Sequence, residues 1–222
     1  MSNTESAYET KTWVLPIFLT NRNKYIIGII TFALAAVFYL PSNHIHLFEP
    51  RLLPMWWIDK AIPFMPNTVW IYISEYVLFG AAYLLCKDMI NANKYIYSFL
   101  ALQIISNIIF WLWPTTYPRE QFPLPEDLNA ITYYVFNSLR ETDTPANCCP
   151  SLHVSSVYLS SFIYLDDQTR KFPLFFLWAT LIAVSTLTTK QHYLIDVIIG
   201  FIIAVICYQV FHKYIQYKKR FI

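Results

Sequence analysis

The chain has 222 residues, 56% of them hydrophobic and 14% charged, with a mean hydropathy of +0.39 and a formal net charge of +2. So little charge excludes an ordinary soluble domain. A balance near neutral, with no basic patch interleaved with stacking aromatics, excludes a nucleic-acid binder.

The apolar residues fall in runs, which places the chain among membrane proteins. The expected architecture is all-α, a polytopic six-helix membrane bundle. Residues 1–24 read as a polar cytoplasmic tail, 25–212 as the transmembrane domain and 213–222 as a basic cytoplasmic tail. The expected spans are 25–40, 68–86, 95–113, 152–165, 172–189 and 192–212. The first and fourth are short for a hydrocarbon core of about 30 Å, so they extend into uncharged flanks or pack within the bundle. Ala33-Leu34-Ala35 resembles a cleavage site, but the apolar run continues past it, so an uncleaved first span is expected.

The loop after the first span carries His44, His46 and Glu49. A His-x-His pair has no fixed metal geometry, and these read as surface residues. Met55-Trp56-Trp57-Ile58 beside Asp59-Lys60 suits the membrane–water interface, as a short surface helix acting as a lid, a lipid guide or a plain anchor. Glu75 lies inside the second span. It faces the bundle interior, either touching a site or making a buried structural hydrogen bond. The segment from Thr115 to Asn147 reads as a long outer loop, rich in proline at its start and acidic overall. Arg119 stands near the end of the third span, as a phosphate ligand or as an interfacial arginine.

Cys148-Cys149-Pro150-Ser151-Leu152-His153 opens the fourth span. Proline fits a first helical turn, where free N–H groups and the helix dipole favour an anion. Ser151 adds a hydroxyl donor, and His153 a proton that moves near neutral pH. Lys190-Gln191-His192-Tyr193-Leu194-Ile195-Asp196 opens the sixth span. On a helix His192 and Asp196 share a face, and the carboxylate orients the ring. The four cysteines show neither metal nor redox spacing, and adjacent Cys148 and Cys149 suit no ordinary disulfide.

With the N-terminus inside, eleven of the sixteen Lys and Arg residues fall in inner segments. Both termini are then cytoplasmic, and both histidine motifs lie at the outer face.

Pro150-Ser151-Leu152-His153, followed one helix later by His192-Tyr193-Leu194-Ile195-Asp196, resembles the second and third signature motifs of the type 2 phosphatidic acid phosphatase superfamily. The Pro-Ser-Leu-His form is most similar to the branch of inositol phosphorylceramide synthase and its bacterial relatives. The resemblance implies a nucleophilic His192 oriented by Asp196, with His153 as general acid and then base. Arg119, Lys190 and Ser151 would hold the phosphoryl oxygens, and the route would need no metal or cofactor. Leu112 and Glu120 stand where the first motif has lysine and proline, and Leu152 where the second has glycine. Ser185-Thr186 stand where the third has Ser-Arg, so Lys190 would supply the missing charge.

The expected activity is a lipid phosphate phosphatase in a cell membrane, an inner bacterial one by the compactness of the chain, hydrolysing a phosphomonoester or diphosphate lipid. An alcohol in place of water would make it a headgroup-transfer enzyme. A non-catalytic lipid-binding or transport bundle is the reading from another class. The expected partners are the substrate lipid and the bilayer, and the sequence leaves oligomeric state open.

Overall fold

The computed structural model describes residues 14–45, 47–166 and 168–219. His46, Asp167, Arg220 and most of the N-terminal tail lie outside the described residues. The long helices are α1 (Lys24–His44), α5 (Met89–Leu112), α7 (Leu152–Asp166), α8 (Phe172–Thr188) and α9 (Leu194–Gln209), with α9 continued by a π-turn over Val210–Tyr214. Shorter ones are α2 (Trp57–Ala61), α3 (Val69–Ile73), α4 (Glu75–Leu85) and α6 (Ala130–Thr142). Among the described residues, five helical stretches are long and apolar enough to cross a membrane: Lys24–His44, Pro66–Leu85, Met89–Leu112, Thr169–Thr188 and Leu194–Tyr214. The protein is an all-α polytopic membrane protein.

The fourth expected span is the exception to length. Helix α7 has 15 residues, about 22 Å of rise, so it does not cross a bilayer core unaided. It lies instead at the centre of the bundle, packed against α4, α5, α8 and α9. From Leu152 to Tyr164 every residue but His153 is buried, as expected of a helix with no lipid-facing side. Four serines make this close packing possible. Ser155, Ser160 and Ser161 return their hydroxyls to carbonyls of their own helix, and Ser156 accepts from Gln103 of α5. By contrast, α1 exposes Tyr25, Ile26, Ile29, Leu34 and Val37, the apolar face that lipid covers.

The first span extends beyond the expected limit, to His44 through Pro41. The second is broken. Its α3 and α4 segments meet at Ser74, whose hydroxyl donates to the Ile71 carbonyl and accepts from the Trp178 indole. Backbone irregularity at membrane depth is tolerated where it is buried in protein.

Strands β1 (Val14–Ile17) and β4 (Gln216–Lys219) pair in parallel, bringing the two ends of the described chain together. At the opposite end, β2 (Arg51–Leu52) pairs with β3 (Thr115–Thr116), and Thr115 also bridges to Asn147. The expected outer loop is therefore ordered, and it contains α6. Asn129 caps α6 by accepting from the Ile131 and Thr132 amides. Only Thr132 and Phe136 of α6 are buried, so this helix lies at the surface of the bundle.

Candidate active site

Helices α7 and α9 begin side by side at the end of the bundle opposite the β1–β4 pair. Their approach depends on Gly200, where a Cβ would stand 2.6 Å from the Ser151 carbonyl oxygen. The Ser151 amide donates to the Asp196 carbonyl at 3.1 Å, fixing one helix start on the other.

Proline does not occupy the first helical turn as expected. Pro150 precedes Ser151, and Ser151 serves as the N-cap of α7, its Oγ accepting from the Val154 amide at 3.3 Å. The Ser151 hydroxyl proton is left for another acceptor.

His192 lies in the turn before α9, not on the helix, so the helical i, i+4 argument gave the right contact for a different reason. The Asp196 carboxylate folds back to cap the helix, Oδ2 accepting from the Tyr193 amide at 2.9 Å. The same oxygen stands 3.4 Å from His192 Nδ1, and the Cys148 carbonyl stands 2.9 Å from it. An Nδ1 facing two acceptors carries the ring proton, so Nε2 carries the lone pair. Nε2 points at His153 Nδ1, 3.5 Å away, with ring centroids 5.7 Å apart. The structure thus brings His192, His153, Asp196 and Ser151 together.

The two expected cationic ligands differ in placement. Arg119 is buried and pairs with Asp143, Nη2 to Oδ2 at 3.3 Å, while Nη1 donates to the Asp143 carbonyl. Its Nε–H is buried without a partner among the described residues. Burial alone would raise the Asp143 carboxyl, but Arg119, His153, the Tyr39 hydroxyl and His192 together hold it below the ordinary carboxylate range. Lys190 has a left-handed backbone, with φ 55°, and its ammonium donates to the carbonyls of Asp59 and Ile62 at 2.8 and 2.6 Å. It makes no hydrogen bond to His153 or His192. Asp59 in turn accepts from the Leu194 amide at 2.7 Å, so α2 is tied to the turn that carries His192. Trp57 on the same short helix is 77% exposed, as an interfacial residue should be.

Residues that motif reasoning left open also converge here. Glu75 Oε1 lies 3.4 Å from His153 Nε2, and the Tyr72 hydroxyl lies 2.9 Å from the same nitrogen. Glu75 therefore meets the histidine itself, not merely a neighbouring helix. Its position inside an apolar span was the available signal. Tyr72 and Asp143 carried no comparable signal.

An apolar cavity of about 410 Å³ opens beside His153, between α1, α4, α5 and α7, lined by Phe32, Phe79 and Phe99 and also by Glu75. Cys148, His192 and Asp196 offer ligand atoms within 4.8 Å of one another, a donor set of zinc type. The fit is poor, because His192 Nδ1 already faces the Cys148 carbonyl and the Asp196 carboxylate and so carries a proton rather than a free lone pair. The thiol itself points at the Pro145 and Gln191 carbonyls.

A family model described as the PAP2 superfamily matches residues 35–210. No curated protein matches the chain.

Proposed function

The chain belongs to the PAP2 superfamily, and from that premise we propose that it is a membrane lipid phosphate phosphatase working through a phosphohistidine. Membership supports a phosphatase-type enzyme of lipid phosphates in general. The observation that carries the finer reading is the facing pair, His192 Nε2 and His153 Nδ1 at 3.5 Å, with Asp196 behind His192.

In the first half-reaction His192 Nε2 attacks phosphorus, the bond to the leaving oxygen breaks, and His153 Nδ1–H protonates that oxygen. In the second, His153 Nδ1 takes a proton from water. The resulting oxygen bond to phosphorus replaces the bond to Nε2 and frees phosphate. The Nε–H of Arg119 and the Ser151 hydroxyl are the donors for the phosphoryl oxygens. Lys190 contributes from one remove, by holding α2 on the His192 turn.

The cavity beside His153 supports a lipid substrate, since its apolar walls suit an acyl or prenyl chain. Phosphatidic acid, phosphatidylglycerol phosphate and polyprenyl diphosphates share that chemistry. A transferase of the inositol phosphorylceramide synthase type would share the first half-reaction, and the Pro150-Ser151-Leu152-His153 variant favours it as the second reading. We place the protein in a cell membrane with both termini cytoplasmic and the site at the outer face.

Phosphate release by purified protein from a panel of lipid phosphates, with chelator present, tests the reading. Chelator-resistant release that falls at least about a thousandfold in His192→Ala is expected. Release only on adding an alcohol acceptor selects the transferase, and no turnover under any condition overturns both.

A further inference from the structure

His192 has its orienting carboxylate in Asp196, and nothing in the signature motifs supplies one for His153. The structure does. Tyr72 and Glu75 flank the break in the second span, and both reach His153 Nε2, the nitrogen turned away from His192. Each imidazole therefore has a carboxylate on its far nitrogen and presents its near nitrogen to a common gap.

Glu75 is 2% exposed and lines the cavity, and its Oε2 is buried without a hydrogen-bond partner among the described residues. A carboxyl at such depth is costly, and among the described residues the ion-pair partner it meets is His153. The other titratable groups facing His153 are Tyr39 on α1, His192, and Asp143 at the end of α6, with Arg119 beyond Asp143. Asp143 is held in an ion pair with Arg119, and Glu75 is the carboxyl in direct contact with His153.

We propose that Glu75 is a positioning residue for His153, holding a proton between Oε1 and Nε2 so that Nδ1 can donate in one half-reaction and accept in the next. The inference rests on the phosphohistidine reading. As Nδ1–H passes to the leaving oxygen, the shared proton moves from Oε1 to Nε2, and Glu75 becomes the carboxylate. As Nδ1 takes the proton of water, the Nε2 proton returns to Oε1. The imidazole stays neutral throughout, and no proton is gained or lost over the cycle. Tyr72 keeps the ring plane in place as the proton crosses.

The experiment uses the full chain in detergent, with Glu75→Gln as the variant. In nitrogen-15 spectra of histidine-labelled protein, the His153 signals, assigned by their loss in His153→Gln, should shift in Glu75→Gln while those of His212 stay put. In phosphate release, kcat should fall about 10- to 100-fold with KM changed less than about 2-fold. The alkaline limb of kcat/KM should move to lower pH, because without the proton held on Glu75 His153 can donate only as an imidazolium, which loses its extra proton at lower pH. A merely structural role would scale the profile without moving it. Glu75→Asp, which keeps the carboxyl one methylene further back, should move the limb the same way by less, and it carries the test if Glu75→Gln does not fold. Superimposable His153 signals, or an unmoved limb, overturn the proposal. If the wild type turns over no lipid, the functional reading fails, and the spectra alone decide whether Glu75 holds His153.

Discussion

Arg119 and Asp143 show how tightly the charges around the histidines depend on one another. Both are buried, so removing one partner leaves the other unpaired in a low-dielectric site, a loss of about 3–5 kcal/mol. Asp143→Asn should therefore lower the melting temperature in detergent at neutral pH and weaken substrate binding, since Arg119 loses its anchor. The pH dependence has a definite sign. The folded carboxyl is held below its unfolded value of about 3.9, so its stabilisation is complete above that pH and lost as pH falls through the lower folded value. Melts of wild type and Asp143→Asn should differ at pH 7 and converge in strong acid. A constant difference across that range would show that Asp143 stabilises by something other than its charge.

Helix starts, rather than helix bodies, place the chemistry. Gly200 lets α9 pass within contact of the Ser151 carbonyl, and a Cβ there meets backbone at 2.6 Å, which no rotamer change relieves. Gly200→Ala should displace the start of α7 and with it His153. Helical circular dichroism should stay near wild type while phosphate release falls about tenfold or more, as a misplacement of about 1 Å can cost 100-fold. The Lys190 ammonium acts on an element too, holding the Asp59 and Ile62 carbonyls. Lys190→Ala should speed amide exchange in residues 56–62 and reduce kcat. Reduced affinity for phosphate analogues with unchanged exchange would instead put Lys190 on the substrate.

For the molecule as a whole, the parallel pairing of β1 with β4 fixes the two ends of the described chain on one side, and the site on the other. Cysteines placed at Val14 and Gln216 should then react with an impermeant reagent from the same side of a sealed vesicle. A cysteine at Glu126, in the segment before α6, should react from the opposite side. Reaction of all three from one side would contradict a bundle that crosses the bilayer. The membrane class and most of the span positions were legible because an apolar run of about 20 residues has few other uses. The length of α7 was legible too, but not its place at the centre, because an all-apolar helix reads alike whether lipid or protein covers it.

The sequence by itself determined the class of protein, the superfamily motifs and four of the groups that meet, His192, His153, Asp196 and Ser151. It could do so because their spacing is local and each stands at the mouth of an apolar run. Tertiary structure alone decided which nitrogen of each histidine faces the other, and that Arg119 is clamped by Asp143 while Lys190 holds a surface helix. It also brought Glu75 and Tyr72 to His153 from 78 and 81 residues away. Such pairings follow from which helix faces pack together, and that is set by small residues such as Gly200 and the serines of α7, whose role shows only when their neighbours are in place.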